Sequence, residues 1–183
     1  MFLKSKDKTR LAFHVPESLL TELGLASKSA DKNSGKAQVG PMTLKLSKAN
    51  GIVRGALKKG AELELKPLTV VVLDAGGHMV AMQRSDGSSI LRPQIAAGKA
   101  FGALAMGMGS ASLEAAFKDR PHFGAGLEAV TPQGIVPVAG GVLIKNKRGD
   151  ILGAVGISGD TSDKDEASAV AGVEAVGLEA DPG

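Results

Sequence analysis

Apolar and polar positions alternate along most of the chain in segments of two distinct periods. Ile52, Val53, Ala56, Leu57, Ala61 and Leu63 recur at 3.6-residue spacing, which predicts a helix capped by Ser47 and broken by Pro67. The run Leu68-Thr69-Val70-Val71-Val72-Leu73 is β-branched and continuous, the pattern of a buried strand. Ala75-Gly76-Gly77 turns the chain, and residues 78–84 return as a second strand. This hairpin makes the sheet antiparallel from its start. Ser85-Asp86-Gly87 supplies the next turn.

Pro93 opens a helix running from Gln94 towards Met108 that is almost bare of side chains: Gly98, Ala100, Gly102, Ala103, Ala105 and Gly107. Each interior Gly costs up to about 1 kcal/mol against Ala. That cost points to a face approached closely by another backbone, a second copy of the chain or a flat ligand. Shorter helices are expected near 112–117 and 121–129. Residues 135–138, 142–145 and 151–158 read as three further strands, the first two joined by Ala139-Gly140-Gly141. Ser162, with Asp165 three residues on, has the spacing of a capping box and opens a last helix carrying Ala167, Val170, Ala171 and Val173. The order of elements gives an α+β domain, one antiparallel sheet between helical layers.

Residues 1–41 follow a different pattern. Pro16 opens one short helix ending near Gly24, and the Lys-rich polar run from Ser27 to Gly40 reads as a linker. Two domain-level readings stand for this segment: an extension ahead of Met42 that lies outside the core, or an ordered docking arm. His14 falls in it and reads as solvated.

Charge follows the same division. Of 22 Lys+Arg and 19 Asp+Glu, seven and four fall in residues 1–41, leaving fifteen of each in residues 42–183. The main domain is therefore neutral, and five Phe, with no Trp or Tyr, are all the aromatic rings of this kind in the whole chain. A nucleic-acid surface calls for a basic face and stacking aromatics, so that class is set aside. With no Cys there is neither a disulfide framework nor a thiolate metal site. No apolar run reaches 18 residues, and the opening residues lack the apolar core of a secretory signal. The expectation is a cytoplasmic protein with no membrane partner.

The glycine-rich stretches do not read as nucleotide loops. Gly98-Lys99 lacks the preceding Gly and following Ser/Thr of a P-loop, and Gly153, Gly156 and Gly159 lie inside a strand with GxxGxxG spacing. No nucleophile elbow is present. His78, beside the hairpin, and His122, after Pro121, are each an imidazole ligand or general base on one reading. The plainer readings are a turn-stabilising His78 and an exposed His122. Met79 and Met82 have opposite parity on one strand, so only one is expected in a core; Met106 and Met108 are expected at a helix interface. Asp160, Asp163, Asp165 and Glu166 suit the start of a helix better than a hard-cation loop. Arg84, Asp86, Arg92 and Lys99 gather between the hairpin end and the bare helix. Together with backbone N–H groups of the Gly76-Gly77 and Gly140-Gly141 turns they would receive carboxylates, or else form surface ion pairs.

Six motifs in order resemble one known family. Leu73-Asp74-Ala75-Gly76-Gly77-His78, Gln83-Arg84-Ser85-Asp86-Gly87, Leu91-Arg92-Pro93, Gly98-Lys99-Ala100, Pro137-Val138-Ala139-Gly140-Gly141 and the stretch from Gly153 to Ser162 are similar to the GlcG/HbpS family, also called the haem-degrading domain. It is related to the C-terminal domain of PduO-type corrinoid adenosyltransferases. The resemblance covers residues 42–183. It implies a profilin-like α/β/α fold with a five-stranded antiparallel sheet, homo-oligomers, and haem as cofactor, with slow haem breakdown or redox sensing in some members. The family-pattern positions Arg84, Asp86, Arg92, Lys99, Gly140 and Gly141 become candidate binding residues, Arg92 and Lys99 for the propionates, and His78 the candidate axial ligand. The alternative is a non-catalytic accessory module binding a small carboxylate or corrinoid. Three departures stand out. Ala139 replaces a usual Pro, which is expected to loosen its turn; Ser168 replaces a frequent Cys; Met82 replaces a common aromatic.

Overall fold

The computed structural model describes residues 43–183. The expectations placed on residues 1–41 and on Met42 lie outside the described residues. Chain order runs α1 (Leu46–Glu62), β1 (Thr69–Asp74), β2 (Met79–Arg84), α2 (Arg92–Met106), α3 (Ser110–Asp119), α4 (Pro121–Val130), β3 (Gly141–Lys145), β4 (Ile151–Ser158), α5 (Ser162–Glu174) and β5 (Glu179–Asp181). The strands form one sheet in the order β2-β1-β4-β3-β5, every pairing antiparallel. This is the α+β, five-stranded antiparallel architecture expected from the sequence.

Both faces of the sheet are covered. Val70, Val72, Val142, Ile144, Val155 and Ile157 face α1 and α5, where Ile52, Val53, Ala56, Ala169 and Val173 close one core. Val71, Leu73, Leu143 and Ala154 face α2, against Ala96, Ala100 and Ala103. Burying each large aliphatic side chain contributes about 1.5–3 kcal/mol. The unbroken β-branched run of β1 follows from its central place with helices on both sides.

The bareness of α2 has an intramolecular cause. A Cβ on Gly156 of β4 would stand 1.9 Å from the Ala96 carbonyl oxygen, and one on Gly141 of β3 2.4 Å from that of Lys99. The sheet and helix backbones therefore touch almost directly. On the other side of the helix, Gly98 and Gly102 lie under Val136 and Ile135, and Val136 N–H donates to the Gly98 carbonyl. The close approach is made by the chain's own strands and its 135–136 crossing.

Five strands were expected and five occur, but one of them is different. Residues 135–138 are apolar yet form no strand; Pro137 has no N–H, and the segment bonds to the helix instead. The fifth strand is the short, polar β5, paired with β3 and tied by a Lys145–Asp181 ion pair. Two helix starts also move. Lys45, not Ser47, precedes α1, and Thr161, not Ser162, precedes α5. In β2 the register passes from Val72↔Ala81 to Leu73↔Met79, so Val80 is the extra residue of a bulge. Val80 and Ala81 both pack inward, leaving Met79 and Met82 56% and 44% exposed. Neither methionine enters a core.

Candidate functional site

The expected binding residues divide among three places. His78 lies at the hairpin end of β1 and β2. Arg84 lies at the far end of β2, five residues from Met79 and about 17 Å along the strand. Asp86 and Arg92 are at that same far end, lining neighbouring cavities. Lys99, Gly140 and Gly141 form an interior cluster.

The hairpin is built around Asp74. Its Oδ1 accepts the N–H of Gly76 (2.9 Å) and of His78 (3.0 Å) and lies 3.4 Å from the imidazole Nδ1. The His78 N–H, more than any other group, holds the Asp74 carboxyl below its ordinary pKa. Glycine is required twice here. A Cβ on Gly76 would stand 2.9 Å from His78 Nδ1, and Gly77, with φ +80°, packs against the Phe101 ring. The imidazole itself is 82% exposed, and its Nε2 has no partner among the described residues. Beside it, Leu73, Gly77, Met79, Ala97, Phe101 and Gln133 line a largely apolar cavity of about 180 Å³.

Lys99 is not open to a ligand carboxylate. Its Nζ donates to Asp165 Oδ2 at 3.0 Å, with the two side chains 2% and 1% exposed. The other oxygen of Asp165 accepts the Asp160 N–H at 3.0 Å. The acidic stretch thus does more than favour a helix terminus, since one member neutralises a lysine of α2. Gly140, at φ +110°, brings its backbone against this pair; a Cβ there would stand 2.9 Å from Lys99 Nζ.

Neither glycine turn offers free N–H groups to an anion. Asp74 takes those of the first turn. In the second, Ala139 N–H donates to Glu114 Oε2 (3.2 Å), Gly140 N–H faces the Glu166 carboxylate, and Gly141 N–H donates to Ser110 Oγ (2.6 Å). Proline at 139 would have no such donor, so the alanine ties this turn to α3 rather than loosening it. Ser168 is buried and its hydroxyl donates to the Lys164 carbonyl. Burial raises the pKa of Glu166, against the opposing pull of the Gly140 N–H and Lys99; Glu114 and Asp163 raise it further. Its Oε2 is buried with no hydrogen-bond partner. The sequence reading missed Glu114 as a participant, because nothing in its spacing links α3 to a turn 25 residues on.

Arg92 keeps one neutral partner, Ser158 Oγ at 3.0 Å. It lines a cavity of about 170 Å³ with Lys66, Pro67, Gly87, Ser88, Ser89 and Gly159. His122 is exposed on α4, where Arg120 stacks over Phe123 and that ring meets Phe117 edge-on.

Comparison with known proteins bears on this geometry. A family model described as haem degrading protein HbpS-like matches residues 44–174. The chain belongs to the HbpS-like family. It is 31% identical over 124 residues to an uncharacterized 15.0 kDa protein of the dhaT-dhaS intergenic region of Citrobacter freundii, covering 67% of this chain and 84% of that one. Among solved structures, the PduOC:heme complex superposes with a TM-score of 0.66 at 24% identity, covering 74% of this chain and 96% of that one. A double mutant of HbpS from Streptomyces reticuli gives 0.65 at 25% identity, covering 81% and 96%. The HbpS-like fold and family expected from the motifs are thereby established. No helix among the described residues is long and apolar enough to cross a membrane.

Proposed function

We propose that this HbpS-like chain binds haem at the β1–β2 hairpin, where His78 would hold the iron. The observation that carries the reading is the Asp74–His78 arrangement. A carboxylate beside Nδ1 orients the ring, the usual outer-shell support of a metal-binding histidine. The imidazole is open to solvent, and its chain neighbours Gly77 and Met79 line an apolar hollow. The chemistry of the donor set fits: neutral imidazole is a common haem ligand, and Leu73, Met79, Ala97 and Phe101 offer apolar contact to a flat ring. At about 180 Å³ the hollow is below the range of pockets that enclose a whole ligand, so it suits one edge of a macrocycle, the rest lying open or under another copy of the chain. A family of haem-degrading proteins and a relative solved with heme support the same ligand.

In this reading the iron supplies the redox chemistry of haem breakdown or sensing. The protein's part is positional. Asp74 orients His78, Gly76 and Gly77 make room for the imidazole and for Phe101, and the hollow excludes water from one edge. Lys99 takes no part in contacting the propionates, since Asp165 already satisfies it. Met79, Met82, Ile90 and Leu91 are exposed on β2 and just before α2, which supports assembly of several copies.

Titration of the purified chain with hemin, followed by visible absorption, tests the proposal. A saturable Soret band at a fixed ratio per chain is expected. A shift that never saturates would overturn it.

A further inference from the structure

The far end of the sheet holds a cation pair that no fold contact explains. Arg92 is half-buried, yet its hydrogen-bond partner is a neutral hydroxyl, Ser158 Oγ. No carboxylate pairs with it, or with the Lys66 ammonium, among the described residues. Both side chains line one cavity of about 170 Å³, together with Ser88, Ser89 and the bare backbone of Gly87 and Gly159. A partly desolvated guanidinium without a counter-charge is a costly arrangement unless an anion arrives to meet it. Of the nearby acidic groups, Asp160 is engaged and Asp86 faces the neighbouring cavity. Asp160 accepts the Lys66 and Thr161 N–H groups and lies 3.5 Å from Lys164 Nζ.

That adjoining cavity, about 220 Å³, shares Lys66 and Pro67 with the first; Leu57, Ala61, Leu65 and Leu68 make its aliphatic wall, and Ser85 and Asp86 stand at its polar side. An oxyanion seat beside an aliphatic one specifies a ligand with both parts. We propose that Arg92 and Lys66 bind the head of a short-chain aliphatic carboxylate, whose chain enters the Leu57–Leu65–Leu68 cavity. Ser158 positions the guanidinium, and Ser89 is available as a further donor. Inorganic phosphate satisfies the cations but leaves the aliphatic cavity empty, so it binds more weakly. The site is independent of the haem proposal and lies at the opposite end of β2 from His78.

The test uses the full chain, thermal unfolding and the methyl NMR shifts of leucine, titrated with sodium acetate, butyrate and phosphate at constant ionic strength. Saturable stabilisation by butyrate, stronger than by acetate or phosphate, with shifts at Leu57, Leu65 and Leu68, is expected. Arg92→Gln should weaken butyrate by about tenfold or more. Lys66→Gln, at an exposed position, gives a second variant with the same expectation should Arg92→Gln fold poorly. Equal responses to all three salts, butyrate binding unaltered in the folded variants, or leucine shifts elsewhere would each overturn the proposal.

Discussion

The ammonium of Lys99 lies 3.0 Å from Oδ2 of Asp165, and both side chains are sealed from water. The pair joins α2 to the start of α5 across the β3–β4 side of the sheet, with the Gly140 backbone pressed against it. Removing one partner strands the other charge in the interior. Lys99→Met is expected to cost about 3–5 kcal/mol, read from urea unfolding. The double variant Lys99→Met/Asp165→Leu should recover most of that loss. A single variant within about 1 kcal/mol of wild type would show that the charges do not depend on each other.

Glu166 gives the opposite sign from a salt-bridged carboxylate. Its pKa is raised by folding from the ordinary 4.5, so the folded state binds the proton more tightly than the unfolded state. The resulting cost is absent below the unfolded pKa and grows as pH rises through the raised folded value. Glu166→Gln should therefore flatten the decline in stability above pH 4.5 and raise the urea midpoint at neutral pH. Identical pH profiles for variant and wild type would count against it.

Glycine substitutions separate close approach from open surface. Gly156→Ala drives a Cβ to 1.9 Å from a helix carbonyl and should destabilise by about 3 kcal/mol or more. Gly126, in α4, has nothing within 4 Å of its added Cβ. Gly126→Ala should stabilise by up to about 1 kcal/mol. Thermal unfolding of the two variants distinguishes them directly.

Much of this fold was legible because its signals are local. Val70-Val71-Val72 marks β1, and the Gly76-Gly77 turn dictates the hairpin. What could not be read depends on partners distant in sequence. Residues 135–138 have strand composition but are claimed by the Gly98 carbonyl, while β5 is polar and held by pairing with β3. The candidate site shows the same limit. Arg84, Asp86, Arg92, Lys99 and His78 are adjacent as motifs, yet β2 carries His78 and Arg84 to opposite ends. Burial of Lys99 depends on an aspartate 66 residues away. Lys66 escaped notice because an isolated lysine before a proline has no pattern to distinguish it. Asp74, inside a recognised motif, was the one signal that spacing could have assigned to His78, four residues on.

Support of the imidazole by Asp74 is testable through its charge. Asp74→Asn keeps an oxygen to accept the Gly76 and His78 N–H groups but removes the anion at Nδ1. Hemin affinity should fall by about tenfold or more, with the hairpin intact by circular dichroism. Unaltered affinity would mean that the carboxylate serves the turn alone.

The most direct measurement is a hemin titration of His78→Ala beside wild type, each checked for native circular dichroism. Wild type should show a saturable Soret band characteristic of imidazole ligation; the variant should lose it and regain it when free imidazole is added. The same saturable band in folded His78→Ala, without imidazole, would contradict the assignment of the haem site to the hairpin.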